Sequence, residues 1–185
     1  YTTLFRSIVL DNRYVSEINI TDETFSYEFG DDRIHFLNTA NSDCILLESN
    51  GHFALVDSGE GNENPRRKTE YKGYRDEVIG YIKKVASDKD GKVKLDFIVA
   101  THMHYDHAGN FTHIINDKDI TIDKAFIKKY DTSSVSAMDK KNWGNGEMYE
   151  DIIRALKENN VPIIQKIPSD SFTFGDFTIQ FFNAE

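Results

Sequence analysis

The residues with the clearest chemical potential are three histidines and one aspartate within six positions. His102, His104, Asp106 and His107 form an H-x-H-x-D-H cluster in the segment THMHYDHAGN at 101–110. A neutral imidazole is the commonest nitrogen ligand of zinc and related metals, and a carboxylate adds negative charge and a proton acceptor. The cluster therefore predicts a metal site, and the alternative is a solvent-exposed histidine-rich loop.

The elements around the cluster decide which ligands can act together. The apolar run LDFIVA at 95–100 directly precedes it and predicts a buried strand. His102 and His104 lie two residues apart beyond the strand end, where an extended backbone points both the same way, so they can chelate one ion. A short helix predicted over 106–115 turns Asp106 and His107 in another direction, so they can bind a second ion.

A second segment gives the cluster a recognisable context. Residues 51–59, GHFALVDSG, predict a strand that ends in Asp57-x-Gly59. Together with the H-x-H-x-D-H cluster, this segment resembles the metallo-β-lactamase superfamily of dinuclear metallohydrolases. The resemblance implies a layered α/β fold, with residues 33–185 forming the N-terminal half of the family's αββα sandwich.

The opening hairpin is similar to that of the ComEC-like, competence-type branch of the superfamily. The similarity lies in the segments at 34–38 and 43–48. That branch has a Gly-Gln-Gly-Asp turn where this chain reads ANSD at 40–43, so only Asp43 is kept. The Gly-Gly pair expected after the metal cluster is Gly109-Asn110 here.

The resemblance also assigns roles to individual residues. His102 and His104 would hold the first of two divalent ions, and Asp106 and His107 the second, with zinc favoured over manganese or iron. Asp106 would in addition orient the nucleophilic water and take up its proton. Asp57 is expected to fix a ligand imidazole by a hydrogen bond, and the alternative is a strand-end aspartate that satisfies a turn.

The family needs further ligands that these residues do not supply. A third histidine for the first ion and a later carboxylate and histidine for the second are implied, but the only histidine after His107 is His113. His113 is too close along the same predicted helix and is expected to be a surface or packing residue. We therefore expect a gene that continues past Glu185, or else a degenerate domain, and an isolated fragment that binds metal poorly and is inactive.

Composition limits the classes of partner. The 185 residues carry a net charge of −9, with a pI near 5.1, which argues against a surface that wraps nucleic acid. A basic run at 65–68 could meet an anionic substrate, but a solvated polar loop is the favoured explanation. No run approaches the roughly 18 apolar residues of a membrane span, and the single cysteine, Cys44, excludes an internal disulfide. The compartment, cytoplasmic or secreted, and the oligomeric state stay open.

The first 32 residues are expected to lie outside the predicted domain. Residues 1–7, YTTLFRS, read as the translation of a DNA sequencing adapter and are expected to be non-native. Residues 8–32 are expected to be a leader or an upstream segment.

Between 33 and 185, period-two runs, three- and four-residue apolar spacings and turn dipeptides at 50–51 and 175–176 define the elements. Strands are predicted at 33–38, 44–49, 52–57, 124–129, 162–166, 171–174 and 177–182, and long helices at 69–87 and 147–159.

The pattern predicts a hydrolase that uses a metal-activated water on an ester-like bond. The ComEC-like hairpin favours phosphodiester or phosphoester substrates over lactones and β-lactams, and a small-molecule substrate remains open. The alternative is a non-catalytic metal- or ligand-binding module on the same scaffold. Tyr105 would lie near the cleft, and Trp143 would belong either to a loop over the site or to the packing.

Overall fold

The computed structural model describes residues 17–20, 24–29, 32–63, 72–131, 133, 135–138, 140 and 144–182, with backbone only for 17–20 and 24–29. The expectations about residues 1–7, the basic run at 65–68 and Trp143 lie outside these residues. Among the helices described, none combines the length and apolar character needed to cross a bilayer.

An eight-stranded sheet in the order β1-β2-β3-β4-β5-β7-β9-β10 organises the described chain. Its first five strands are antiparallel: β1 (Glu17–Ile20), β2 (Thr24–Phe29), β3 (Asp32–Leu37), β4 (Ile45–Ser49) and β5 (His52–Val56). The predicted turn at Asn50 and Gly51 is confirmed, with positive φ of 49° and 76° as a two-residue hairpin requires. The strands β1 and β2 extend this sheet and lie in the segment 8–32, to which the sequence assigned no definite element.

The remaining strands of the sheet run parallel to β5. They are β7 (Phe97–Ala100), β9 (Ala125–Ile127) and β10 (Ile163–Ile164). The predicted strand at 95–100 is in fact divided by a bend at Asp96, whose N donates to Phe53 O of β5 at 2.8 Å. Before this break, β6 (Val93–Leu95) pairs in parallel with β8 (Ile120–Ile122) in a separate two-stranded sheet.

Two helix predictions need correction. The helix expected over 106–115 is two short helices, α2 (Tyr105–Ala108) and α3 (Phe111–Ile115), separated at Gly109 and Asn110. The helix expected from residue 69 is α1 (Arg75–Ala86), and residues 72–74 before it are not helical because Tyr74 N donates to Glu60 O at 3.0 Å. The last helix, α4 (Asn145–Glu158), begins two residues before its predicted start at 147.

The sheet buries a different core on each face, because adjacent strand residues point to opposite sides. Leu46 and Leu55 join Val78 and Ile82 of α1 and Ile152 of α4 on the helical face. On the other face, the core is rich in aromatic side chains and is covered by the hairpin β11 (Phe172–Phe174) and β12 (Phe177–Ile179). Phe97 lies at its centre, with edge-to-face contacts to Phe126, Phe172 and Phe174. The predicted layered α/β fold is confirmed.

Candidate metal centre

The parallel pairing of β5 and β7 brings the two chemically important segments to one edge of the sheet. Val56 is opposite Val99 in the register, so both strands end at the same level. Asp57 N donates to Val99 O at 2.9 Å and extends this alignment one residue beyond β5. Because the segments after β5 and β7 leave the sheet at the same edge, Asp57 lies next to Thr101 and the histidine cluster that follows it.

Three histidine rings converge beyond this edge. The ring centroids of His102 and His104 are 4.6 Å apart, and those of His102 and His107 are 3.9 Å apart. Partial burial, followed by the proximity of His107 and His104, lowers the pKa of His102 to about 4. His102 is therefore neutral at physiological pH, and a neutral imidazole offers the lone pair that a metal ion needs.

Asp57 is the buried anchor of the centre. Its side chain accepts hydrogen bonds from Thr101 N (2.8 Å), Thr101 Oγ1 (2.6 Å) and His107 Nδ1 (2.8 Å). The residue is 3% exposed and has a positive φ of 57°, a conformation that aspartate tolerates better than most residues. The carboxylate is compensated by these donors, and it fixes the orientation of the His107 ring.

The hydrogen bond to Asp57 also decides which nitrogen of His107 is available. A neutral ring that donates from Nδ1 carries its lone pair on Nε2. Nε2 lies 3.8 Å from Asp106 Oδ2. Burial opposes a charge on His107, but the hydrogen bond to Asp57 and the negative charges of Asp57, Asp106 and Asp43 outweigh it and raise the pKa of His107.

Asp43 is a third carboxylate at the centre, and sequence reasoning did not select it as a site residue. Its Oδ2 lies 3.6 Å from His107 Nδ1, and ligand-type atoms of Asp43, Asp57 and His107 all lie within 4.8 Å of one another. Burial, with smaller contributions from Asp57 and Asp106, raises the pKa of Asp43 against the opposing effect of His107. The signal in the sequence was its place as the kept aspartate of the 40–43 turn.

Backbone contacts hold the segments at 43, 57–61 and 105–110 together. Asp43 N donates to Asp106 O at 3.0 Å, and Asp43 O accepts from Gly59 N at 2.8 Å. The backbones of Gly61 and Gly109 touch so closely that a Cβ on either residue would collide with the other. The site therefore needs glycine at both positions for a steric reason.

The other histidine after the cluster lies apart from these rings. His113 is on α3, and its Nε2 forms an ion pair of 3.1 Å with Glu63 Oε2. Tyr105, which precedes Asp106, is half-buried, and burial together with nearby carboxylates raises the pKa of its hydroxyl.

The structure brings together all four predicted ligands and Asp57. Their roles toward a metal stay predictions.

Solved structures of similar fold include several hydrolases. The hydrolase AbOPH of the β-lactamase superfamily shares 14% identity over 78% of this chain and 61% of its own, with a TM-score of 0.49. A quorum-quenching N-acyl homoserine lactone hydrolase shares 22% identity over 72% of this chain and 46% of its own, with a TM-score of 0.39. A metallo-β-lactamase from Pontibacter korlensis shares 13% identity over 90% of this chain and 59% of its own, with a TM-score of 0.41.

This chain therefore spans between 46% and 61% of the length of these structures. No curated protein matches it significantly. Residues 37–125, which include Asp43, Asp57 and the whole histidine cluster, match the family model of the metallo-beta-lactamase superfamily. The ComEC-like branch stays a prediction. Over this segment, which is just under half of the chain, the protein resembles the metallo-β-lactamase superfamily.

Proposed function

We propose that this protein is a metal-dependent hydrolase, with His102, His104, Asp106 and His107 as ligands of two divalent ions and zinc as the first candidate. The observation that carries the proposal is the convergence of three imidazole rings beside Asp106 at the edge formed by β5 and β7. The donors are of the type that zinc prefers, and His102 is neutral at physiological pH.

Asp57 fits better as a residue that orients a ligand than as a ligand itself. Asp43, Asp57 and His107 are close enough to suggest a metal-binding group of their own. However, Asp57 is buried and both of its oxygens already accept hydrogen bonds, and an ion at Oδ2 would have to displace Thr101 Oγ1 or His107 Nδ1. The Asp57 bond to Nδ1 directs Nε2 of His107 toward Asp106, as expected for a carboxylate behind a metal-bound imidazole.

A bound ion would lower the pKa of a coordinated water and polarise the scissile group of the substrate. Asp106 would orient that water and accept its proton, since one of its oxygens lies on the same side as His107 Nε2. Asp57 would keep the His107 ring from rotating, and Asp43 would add negative charge beside it. The chain's own contribution is thus position and charge.

We propose an ester-like bond as the target, with phosphodiesters and phosphoesters ahead of lactones and β-lactams. The support for this order is the similarity of the opening hairpin, at 34–38 and 43–48, to the ComEC-like branch. The substrate would be a small molecule or a phosphoester. A net charge of −9 does not favour binding of nucleic acid over a broad surface.

The test combines metal content with hydrolysis of chromogenic probes. Zinc binding is measured on the 185-residue chain and on the product of the complete reading frame, and hydrolysis on both. The probes are bis(p-nitrophenyl) phosphate, p-nitrophenyl phosphate, an N-acyl homoserine lactone and nitrocefin. In whichever of the two proteins binds zinc and hydrolyses a probe, we expect His102→Ala to remove both zinc and hydrolysis of the phosphate probes. His52→Ala is the matched control, because His52 is exposed at the opposite end of β5 and pairs with Asp96.

Two results would contradict the proposal. If His102→Ala left zinc content and hydrolysis unchanged, the ligand assignment would be wrong. If the complete product bound zinc tightly but hydrolysed none of the probes, the second candidate, a non-catalytic binding module, would be favoured. Faster hydrolysis of the lactone or of nitrocefin than of either phosphate would overturn the substrate order alone.

A further inference from the structure

The side chain of Asn110 is buried between the two segments that form the candidate centre. It is 0% exposed and lies where α2 ends and α3 begins. Its Nδ2 donates to Ser58 O at 2.7 Å and to Glu60 O at 3.1 Å. One side-chain amide therefore holds two carbonyls of the segment that follows Asp57.

These bonds continue to His107 through Ser58. Asn110 N donates to Ser58 Oγ at 3.0 Å, and Ser58 Oγ donates to His107 O at 3.0 Å. Ser58 N donates to the same carbonyl at 2.6 Å. Because Ser58 directly follows Asp57, any displacement of Ser58 moves the carboxylate that orients the His107 ring.

The chemistry of the position is unusual for a residue with a packing role alone. An apolar or small side chain would fill a fully buried site, whereas Asn110 has an Oδ1 that finds no hydrogen-bond partner among the described residues. A buried polar atom without a partner opposes folding. Glycine, which the family resemblance leads one to expect here, would avoid that penalty but could not reach Ser58 or Glu60.

We infer that Asn110 is a positioning residue of this metal centre: its amide fixes the 57–61 segment against 105–110 and thereby sets Asp57 against His107. This inference rests on the proposed function. Its hydrogen bonds among the described residues go to Ser58 and Glu60 and not to the predicted ligand side chains. It acts through Ser58 and Asp57, as a group two contacts removed from the metal ligand.

The experiment compares Asn110→Ala with the unchanged 185-residue chain, first without metal. NMR of protein labelled with ¹⁵N in histidine follows the Nδ1 proton of His107, which exchanges slowly while it is bonded to buried Asp57. We expect faster exchange of this proton in Asn110→Ala. Zinc affinity, measured by competition with a chromophoric chelator, is expected to fall roughly tenfold, at the low end for residues that support a metal ligand.

A matched control separates position from general stability. Ile152→Val removes one methyl group from the fully buried core beneath α4 and should lower Tm without moving the 57–61 segment. We expect it to leave the His107 proton and the zinc affinity unchanged. Asn110→Ser, which keeps one hydroxyl donor, should give an intermediate effect, and it replaces Asn110→Ala if that variant does not fold.

The results have distinct meanings. Unchanged exchange and zinc affinity in the Asn110 variants would overturn the inference, as would an equal loss in Ile152→Val. If the unchanged chain and the product of the complete reading frame both failed to bind zinc, the proposed function would fail instead. The exchange comparison in the metal-free chain would then still decide whether Asn110 positions Asp57.

Discussion

Charged residues are used in two different ways in this protein. At the edge where β5 and β7 end, Asp57 and His107 are largely buried and bonded to each other. Around the small β6–β8 sheet, ion pairs such as Lys92 with Asp119 and Lys94 with Asp123 lie at the surface. Burying charge is unfavourable and exposed pairs contribute little to stability, so a large effect of substitution is expected at the buried pair and a small one at the exposed pairs.

The largest effect is expected from the buried carboxylate. Asp57→Ala leaves Thr101 and His107 without their acceptor, and its positive φ disfavours alanine, so a loss of about 3 kcal/mol in the free energy of unfolding is expected. Asp57→Asn tolerates the positive φ and keeps one acceptor oxygen, but it removes the charge and the second acceptor, so a smaller loss is expected. Urea unfolding measures both, and Asp123→Asn is the exposed control. Equal losses at residues 57 and 123 would remove the contrast.

A steric change at the same edge should rank second. Gly109→Ala places a methyl group against the backbone of Gly61 and the carbonyl of Tyr105, neither of which can move without separating the two segments. We expect a loss of about 2 kcal/mol, typical of forced overpacking. The comparison variant is Gly91→Ala, whose methyl group meets open space, although the positive φ of 75° adds backbone strain. A Gly109 variant as stable as the parent would show that the close contact is not needed.

Acidification should weaken zinc binding before it affects the fold. The raised pKa of His107 means that its ring begins to take up a proton above the ordinary histidine range, whereas His102, with a pKa of about 4, stays neutral. A ligand must lose its proton to bind metal, so zinc affinity should fall by up to about tenfold per pH unit once His107 titrates. Chelator competition between pH 8 and pH 5 tests this. Affinity that stays constant over that range would contradict the assignment of His107.

The smallest effects belong to the exposed ion pairs. Lys94→Ala, which breaks the pair with Asp123, should leave Tm unchanged within error.

Lys92 and Lys83 lower the pKa of Asp119 to about 2. The ionised carboxylate therefore favours the folded state above its ordinary pKa of 3.8, and this contribution is lost as the pH falls toward 2. Acid unfolding of Asp119→Asn should match the parent below pH 2, and a persistent difference there would contradict it.

Local signals in the sequence predicted the parts of the fold that depend on neighbouring residues. The turn at Asn50 and Gly51 needs positive φ at both positions, which Asn and Gly tolerate, and the apolar spacing along α4 reports directly which side is buried. The divisions at Asp96 and at Gly109 were missed for the opposite reason. Each depends on a partner far along the chain, Phe53 in one case and Gly61 in the other.

The candidate site shows the same division. The H-x-H-x-D-H spacing was visible because the chemistry requires those residue types in sequence, and the structure brings their side chains together. Asp43 and Asn110 were not selected as site residues. The one signal for Asp43 was its place in the turn at 40–43, and Asn110 gave no signal before its contacts were known. Asp43 reaches His107 because β4, which follows Asp43, and β7, which precedes His107, lie on either side of β5 in the sheet.

The backbone bonds among Asp43, Gly59 and Asp106 also bear on the order of events in folding. Gly59 N donates to Asp43 O, and Asp43 N donates to Asp106 O. These bonds join segments that follow different strands, so β3, β4, β5 and β7 must be paired for them to form. Closing contacts between distant parts of a chain is slow, because the entropy of the intervening loops is lost before the contacts compensate for it. The histidine cluster is thus expected to gain its geometry late, and a nascent chain would expose unconstrained imidazoles until the sheet is complete.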